Sequence, residues 1–424
     1  MKIALITSFP PSRHALNEYG FHVAEQLRQE RCVELTVLGD YLSTPADELA
    51  GFNVVRCWGF ERNGNIATLL RAIRKAKPDV AWFNLGFASF GSRPLSATLG
   101  LITPAITRLN GVYSHVTLHQ LFETVDLEDA AVSSPTLYRM GGWLTTHLLL
   151  TANSLSVLLP AYRRTLDSKY KRGQVSVRSH GIFAGKPDPP DFSRRGNPDH
   201  RILAFGKWGT YKRLELLIEA FEQVAAKFPN VKLVIGGGDH PKTPGYVKSV
   251  AERHASDRIK FLGYVPEAAI ADLFREASLT VMPYTSSAGS SGVAHLAAQY
   301  GVPMIASNIQ DFRELAEHEG IEIRFFAPGN AESLADQMLL ALNSPDDLKR
   351  MAWRNYSAGV AMSMPQVVRE YIRSFRQQER IKLLQLAATM RRRGALQNGG
   401  ELARTVGEKI QKWQDEDEIA TPTA

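Results

Sequence analysis

Residues 201–213 read Arg201-Ile-Leu-Ala-Phe-Gly206-Lys207-Trp-Gly209-Thr-Tyr-Lys212-Arg213, and an apolar-periodic stretch follows them. A short strand, a glycine-containing turn and a helix start are the opening of a parallel α/β unit. Backbone N–H groups, the helix dipole and the lysine charges all favour an anion at such a turn. The segment therefore predicts a diphosphate site, with a solvated basic loop as the alternative.

The strand–helix alternation continues after Arg213. We predict strands at Arg201 to Phe205, Lys232 to Ile235, Ile259 to Leu262, Leu279 to Met282, Met304 to Ser307 and Glu322 to Phe326. We predict helices at Leu214 to Lys227, Tyr246 to His254, Ala268 to Ala277, Gly292 to Tyr300 and Ala331 to Asn343. This pattern indicates a Rossmann-like domain over residues 200–355.

The first part of the chain shows the same alternation over residues 1–185. Predicted strands are Lys2 to Thr7, Val33 to Leu38, Asn53 to Cys57, Val80 to Asn84, His115 to His119, Leu148 to Ala152 and Gln174 to Arg178, with a helix at Glu18 to Glu30. The polar, proline-rich residues 186–199 read as a linker. Two doubly wound domains facing each other place the carboxyl ends of both sheets around a cleft, where such sheets bind ligands.

Length and composition agree with two globular domains. At 424 residues, with 44% hydrophobic and 22% charged residues, the chain is too long for one core and not typical of a disordered protein. We expect Cys32 and Cys57 to be buried thiols in strands. No run of ~18 apolar residues occurs and the N-terminus enters a strand directly, so we expect a cytoplasmic protein.

Positive charge is concentrated in the C-terminal segment 356–424, which we predict to be a cross-over helix and a basic helical tail. Between Arg376 and Lys412 there are nine basic and three acidic residues, in a chain of net charge +7. A basic patch of this kind, outside the folded domains, argues against a nucleic-acid-binding enzyme. Apolar Ile381, Leu383, Leu384, Leu386 and Met390 are interleaved with these cations, which suits an anionic membrane surface, a partner subunit or a solvated packed helix.

Several familiar motifs are missing from the sequence. The loop after the first strand has no G-x-G-x-x-G, which disfavours nicotinamide chemistry. The stretch Gly181 to Pro187 is too short for a P-loop and lacks its Ser or Thr. We find no metal-ligand spacing and no G-x-S-x-G elbow, and predict no metal site.

Two further loops follow predicted strands of the second domain. Residues 283–292 end in Ser290, Ser291 and Gly292, whose small side chains let a ligand approach the backbone, although a serine there would cap the helix in any case. Residues 236–239, which include Gly237, form either a ligand-binding turn or simply a tight one. Both loops lie at strand ends where a ligand is expected.

In combination these segments resemble the donor domain of retaining GT-B glycosyltransferases of family 4. The resemblance rests on Gly206-Lys207 and Lys212-Arg213, the glycine turn 236–239, Phe261-Leu-Gly263-Tyr264-Val265, Pro283, and Gly301-Val-Pro-Met-Ile-Ala-Ser307. The first half resembles the family more loosely, through Phe9-Pro-Pro11, Val116-Thr-Leu-His119, Thr151-Ala-Asn-Ser154 and Ser179-His180-Gly181.

The resemblance implies a metal-independent glycosyltransferase without a cofactor. Its donor would be a nucleotide diphosphate sugar held by the second domain, and its acceptor a glycan or lipid-linked sugar recognised by the first. The residues that would stabilise the diphosphate or face the transferred sugar are His119, Lys207 and Lys212. Those that would bind the donor are Gly206, Arg213, Gly237, Tyr264, Val265, Ser290, Ser291, Gly292 and His295. The final helix would cross back to the first domain.

The chain departs from the family pattern in one important place. Two glutamates, eight positions apart, usually flank the region of residues 288–296, and this chain has neither. The polar side chain nearby is His295, which we hypothesise to be a partial substitute as a ribose partner. The departure leaves two alternatives to the transferase, a catalytically silent nucleotide-sugar-binding or assembly subunit and a sugar-nucleotide epimerase.

Overall fold

The computed structural model of this chain describes residues 1–44, 46–124, 135–171, 173–192, 200–240, 243–286, 289–392 and 408. Contacts divide the chain into two compact units, Met1–Val367 and Val368–Ala424. The first unit contains a seven-stranded sheet and a six-stranded sheet.

The seven-stranded sheet occupies the first part of the chain. Its strands are β1 (Lys2–Ile6), β2 (Glu34–Asp40), β3 (Val54–Trp58), β4 (Val80–Leu85), β5 (Tyr113–Leu118), β6 (Ser154–Val157) and β7 (Val175–Val177). The helices are α1 (Asn17–Gln29), α2 (Asn65–Ala76), α3 (Pro94–Leu101), α4 (Thr103–Leu109), α5 (Pro135–Leu149) and α6 (Pro160–Tyr170). The strands pair in parallel in the order β3-β2-β1-β4-β5-β6-β7.

The six-stranded sheet follows from residue 201 onward. Its strands are β8 (Arg201–Phe205), β9 (Lys232–Gly236), β10 (Ile259–Gly263), β11 (Leu279–Met282), β12 (Met304–Ser307) and β13 (Ile323–Phe326). The helices are α7 (Leu214–Lys227), α8 (Tyr246–His254), α9 (Glu267–Arg275), α10 (Gly292–Gln299), α11 (Gln310–Glu319), α12 (Ala331–Leu342) and α13 (Pro345–Ala361). The order β10-β9-β8-β11-β12-β13 is again entirely parallel.

Burial explains why these segments form strands and helices. Every residue of β4 is buried, as expected of a strand covered on both faces by helices. The helix α7 buries Leu214, Leu217, Phe221 and Val224 on one stripe, which packs on the sheet while the opposite face is solvated. Two sheets with this order confirm the predicted α/β architecture of Rossmann-like layers. The order reverses between β1 and β4 and between β8 and β11.

Two sequence predictions are corrected. The predicted strand Leu148 to Ala152 is wrong, because its first residues end α5 and the strand is β6. Cys32 is half-buried and precedes β2, whereas Cys57 is buried as expected and burial raises the pKa of its thiol to about 12. The predicted boundary at residue 356 stays a prediction; the residue lies within α13.

The last helix, α14 (Met364–Arg392), runs from the first unit into the second. Its second half exposes Ile381, Leu384 and Leu386. Among the described residues, none of the helices is both long and apolar enough to cross a bilayer. The predicted basic residues Arg393, Arg404, Lys409 and Lys412 lie outside the described part of the chain, as do residues 193–199 of the predicted linker.

Candidate functional site

Three loops at the carboxyl edge of the second sheet are joined by backbone hydrogen bonds. The N–H of Gly206 donates to the Gly236 carbonyl at 3.1 Å, and that of Gly237 donates to the Gly263 carbonyl at 2.7 Å. Gly237 has φ 102°, and a Cβ there would lie 1.9 Å from the Gly206 oxygen. Only glycine allows this approach, so the turns after β8 and β9 form one compact surface.

Lys212 is a buried cation at this surface. It ends the 3-10 turn Thr210–Lys212, immediately before α7. Its Nζ lies 4.6 Å from the ring centroid of Tyr284, and 3.0 Å from the point where a Cβ of Gly206 would be. The ion pairs and hydrogen bonds of the described residues give this Nζ no partner, although the ring face partly offsets its charge. Burial lowers the pKa of Lys212, which means that an anion would stabilise its charged form.

The loop before α10 adds hydroxyl and N–H donors to the same edge. Ser291 caps the helix, its Oγ accepting from the Ala294 N–H at 3.4 Å. The Oγ of Ser290 is buried and has no hydrogen-bond partner among the described residues. A buried unpaired hydroxyl is costly, and a ligand at this edge would supply the missing partner. Gly292 begins the helix, and the next residue, Val293, faces Gly206.

His119 reaches this region from the first sheet. It follows β5, and its carbonyl lies 3.9 Å from the Cβ position of Gly289 in the loop before α10. Its Nε2 is 2.6 Å from Asn84 Oδ1, whose amide nitrogen donates to Thr7 Oγ1. Nε2 must therefore donate, which leaves Nδ1 as an acceptor. Burial lowers the pKa of His119 to about 3, so the ring is neutral and cannot add positive charge.

His295 forms a buried pair with Glu319, at the end of α11. Its Nε2 lies 2.8 Å from Glu319 Oε2, and its Nδ1 lies 2.9 Å from the Ser291 carbonyl oxygen. The Ser291 carbonyl can accept from Nδ1, and the Glu319 carboxylate beside Nε2 favours the charged form of the ring. Burial alone would lower the pKa of His295, but the charge and hydrogen bond of Glu319 and the bond to Ser291 raise it overall. The predicted ribose contact would require one of these bonds to break.

A row of neighbouring aromatic rings begins at His295 and links the two sheets. The ring of His295 lies 4.6 Å from that of His180, which follows β7. His180 lies 4.7 Å from Tyr19, and Tyr19 lies 4.6 Å from His119. Burial, followed by the charge of His295, keeps the pKa of His180 well below its usual range. The two sheets are thus in contact through the residues proposed to form the site.

The remaining predicted residues lie around the rim. Lys207, Arg213 and Tyr264 are exposed, and Val265 is half-buried against the Gly236 turn. Burial and the charge of Glu267 raise the pKa of Glu18 on α1, while the charge of Lys207 acts in the opposite direction.

One group of side chains among the described residues could hold a metal ion. Ligand atoms of Glu18, His22 and Glu267 all lie within 4.8 Å of one another. Glu18 and His22 are four residues apart on α1, a spacing that places two ligands on one face of a helix and is visible in the sequence. Burial lowers the pKa of His22 to about 4, so its ring is neutral, and it stacks on Phe183 at 4.3 Å.

Four residues that shape the site are not among those predicted from the sequence. Tyr284 and Asn84 could have been found, because each lies at or beside the carboxyl end of a central strand. Asp311, which accepts from the Gly289 N–H at 2.9 Å, and Glu319 belong to α11, a helix that was not predicted. Nothing in the sequence distinguishes these carboxylates from solvated ones.

Comparisons with known proteins find one family model and several solved structures that are similar to this chain. Residues 199–344, which contain the Lys212 group, match the family model described as Glycosyl transferases group 1. A sucrose-phosphate synthase from Thermosynechococcus elongatus has 17% identity and a TM-score of 0.66, covering 90% of this chain and 99% of its own. HepE of Anabaena, solved with UDP and glucose, has 17% identity and a TM-score of 0.65, covering 89% and 100%. No curated protein matches the sequence.

The fold is GT-B. The glycosyltransferase WaaG, involved in lipopolysaccharide biosynthesis, has the same fold, with 13% identity and a TM-score of 0.59 over 87% of this chain and 98% of its own. In this GT-B chain the family match covers the second sheet, whose strand ends carry Gly206, Lys212, Gly237 and Ser290. His119 approaches them from the first sheet.

Proposed function

We propose that this protein is a glycosyltransferase that binds a nucleotide diphosphate sugar at the Lys212 surface and transfers its sugar to a glycan or lipid-linked acceptor. The observation that carries the proposal is Lys212, a buried cation without an acidic partner among the described residues. A diphosphate would neutralise it and accept from the Ser290 hydroxyl. The matched family description supports turnover over the silent subunit considered from the sequence.

The main barrier in such a transfer is the departure of the nucleotide diphosphate, on which negative charge grows. A preorganised cation and N–H groups at the start of α10 would stabilise that charge, each by up to a few kcal/mol in a closed site. Lys207 would add charge from the rim. The neutral His119 would accept a hydrogen bond from a sugar hydroxyl through Nδ1, rather than balance charge.

We further propose that the transfer retains anomeric configuration and needs neither a metal ion nor a cofactor. The resemblance of the donor segment to family 4 supports retention, and the lysines supply the charge that a cation would otherwise bring. The exposed apolar residues of α14, interleaved with Arg380 and Lys382, support contact with an anionic membrane surface or a partner subunit.

The test is UDP affinity, measured by isothermal titration calorimetry in wild type, Lys212→Ala and the control Lys227→Ala. Lys227 is in the last turn of α7, far along the helix from the site. Loss of a charge-assisted contact worth about 1.5 to 3 kcal/mol weakens binding by about ten- to a hundredfold. Equal affinity in folded Lys212→Ala, or no affinity for any nucleoside diphosphate in wild type, would remove the proposed donor site.

A further inference from the structure

Three aromatic rings surround the ammonium group of Lys212. Its Nζ lies 4.6 Å from the ring centroid of Tyr284, 5.8 Å from that of Trp208 and 6.0 Å from that of Tyr211. We call these three rings the Lys212 cage. The face of an aromatic ring carries partial negative charge and attracts a cation within about 6 Å, more strongly where water is excluded. The cage therefore stabilises the charged form of a lysine that has no acidic partner among the described residues.

The rings of the Lys212 cage are held in place by the fold. Trp208 is fully buried, and its Nε1 donates to the last carbonyl of β9 at 2.9 Å. The N–H of Thr285 donates to the Tyr211 carbonyl at 2.9 Å, which joins the segment that carries Tyr284 to the 3-10 turn before α7. These bonds do not involve a ligand, so the cage is formed before one binds.

The hydroxyl of Tyr284 is buried and has no hydrogen-bond partner among the described residues. Its Oη lies 3.9 Å from the Cβ position of Gly206, and Lys212 Nζ lies 3.0 Å from the same position. Hydroxyl and ammonium thus face one point, which glycine leaves open because it has no side chain. Burial raises the pKa of Tyr284, so the hydroxyl keeps its proton and can donate it to an acceptor.

An aromatic cage and a carboxylate stabilise a lysine in different ways. A carboxylate would compete with an anionic ligand for the ammonium and would repel that ligand. Rings carry no net charge, so an anion that approaches Lys212 meets no like charge within the cage. The unpaired hydroxyl of Tyr284 costs folding free energy in the empty protein, and an oxygen of the ligand would offset that cost.

We propose that the Lys212 cage keeps this lysine charged in the empty site, and that the Tyr284 hydroxyl donates a hydrogen bond to the diphosphate that then binds. Trp208 and Tyr211 are positioning residues, because they act through the lysine. The hydroxyl contact rests on the proposed function, since it requires a nucleotide diphosphate at this surface. The cage does not, because the charge of Lys212 can be measured without a ligand.

The hydroxyl contact is tested with Tyr284→Phe, which keeps the ring and removes Oη. UDP binds this variant about tenfold more weakly in titration calorimetry, because one hydrogen bond to a charged acceptor is lost. Without UDP the variant melts at the wild-type temperature or above it, because no buried hydroxyl is left unpaired. Equal UDP affinity in Tyr284→Phe and wild type overturns the contact.

The matched control is Tyr113→Phe, at the start of β5 in the first sheet. Its hydroxyl is 2.9 Å from Ser154 Oγ, so removing it breaks a hydrogen bond within the fold. This variant melts below wild type and binds UDP with unchanged affinity. The two variants thus differ in the sign of both effects. A loss of UDP affinity in Tyr113→Phe equal to that in Tyr284→Phe would also overturn the contact.

The cage is tested by replacing Tyr284 with phenylalanine or with pentafluorophenylalanine, which has a similar shape but no negative ring face. Carbon NMR of isotope-labelled lysine measures the pKa of Lys212 without a ligand, its signal being identified by its loss in Lys212→Arg. The pKa is lower with the fluorinated ring, by at least about half a pH unit. The same fluorinated replacement of Phe228, a half-buried ring at the end of α7, leaves the pKa unchanged.

The two measurements separate the possible failures. Equal Lys212 pKa values with the two rings at position 284 overturn the cage. If UDP does not bind wild type while the pKa of Lys212 responds to the fluorinated ring, the cage stands, and the proposed function and the hydroxyl contact fail.

Discussion

At the scale of the residue, the lowered pKa of Lys212 makes ligand affinity depend on pH. The lysine is fully charged below its lowered pKa, so UDP affinity is constant there. As pH rises through that pKa the charge disappears and affinity falls, starting below the usual lysine range near 10.4. Titration calorimetry between about pH 7 and 10 measures this decline, and Lys212→Met gives a weaker but nearly flat profile. An identical slope in both proteins would show that another group titrates.

The buried pair of His295 and Glu319 predicts a loss of stability rather than of binding. His295→Leu leaves Glu319 buried without a cation, at a cost of about 3–5 kcal/mol in the free energy of unfolding. Replacing both residues by leucine recovers much of this cost, because no charge is then left unpaired. Urea unfolding measures both. Unchanged stability together with weaker UDP binding would instead support the ribose contact predicted from the sequence.

The same pair has a definite pH dependence. The pKa of His295 is raised, so its contribution to stability is fully present below the unfolded value of about 6.5 and is lost as pH rises through the folded pKa. Wild type therefore loses stability as the pH rises above about 6.5 and through the folded pKa of His295, whereas the double leucine variant lacks this titration and shows no such loss.

At the scale of the element, the contact between the turns after β8 and β9 can be tested with adjacent glycines. Gly237→Ala forces a left-handed alanine against the Gly206 carbonyl, and we expect a loss of about 2–5 kcal/mol in the free energy of unfolding and weaker UDP binding. Gly238→Ala is the control, because nothing lies within 4 Å of its added Cβ. Similar denaturation curves for the two variants would contradict the assigned role of this contact.

The second half of α14 predicts an interaction with anionic lipid. A chain ending at Gln378 lacks the exposed Ile381, Leu384 and Leu386 and the cations that follow. Full-length protein should co-sediment with phosphatidylserine vesicles at low salt, and the shortened chain should do so less, with UDP affinity unchanged. If the full-length chain ignores such vesicles, a partner subunit or a solvated helix remains as the explanation.

The elements show what sequence periodicity can and cannot provide. Sequence periodicity predicted α7, α8, β11 and β12 at their observed bounds. Apolar positions at helical spacing, and short apolar runs separated by turns, each indicate one type of element there. Periodicity failed at Leu148 to Ala152, where an apolar run ends a helix. The observed strand, β6, contains serines, which made it look polar in the sequence. Ser154 and Ser156 hydrogen-bond to the buried His115 at 2.7 and 3.1 Å. Polar residues paired inside a sheet look like surface residues in sequence.

The site could be predicted only where backbone geometry determines it. Gly206, Gly237, Lys212 and Ser290 lie at strand ends, and the structure brings the first three together. Side chains that depend on tertiary partners, such as Glu319 and Asn84, could not be assigned, since their roles come from residues 24 and 35 positions away in the chain. The roles themselves stay predictions until ligands are measured.

At the scale of the whole molecule, we predict that sugar transfer survives excess EDTA. The charge of the diphosphate would be met by Lys212 and Lys207, so no bound cation is required by the proposed mechanism. The group of Glu18, His22 and Glu267 makes the measurement informative. Activity that EDTA abolishes and Mn²⁺ restores, but only while Glu18 and Glu267 are intact, would assign that group a metal and overturn the prediction.

Two segments of the first unit that are distant in sequence are joined by backbone hydrogen bonds. The N–H of Ile182 donates to the Met362 carbonyl at 3.0 Å, and the N–H of Met364 donates to the Ile182 carbonyl at 3.1 Å. These two bonds join the segment that follows the first sheet to the segment that follows α13. For protein engineering we therefore expect that a single break in the connection after residue 185 does not release two independent pieces. The two fragments of a chain split there would re-associate through these bonds. A reporter built on such fragments would then signal fragment assembly rather than ligand binding.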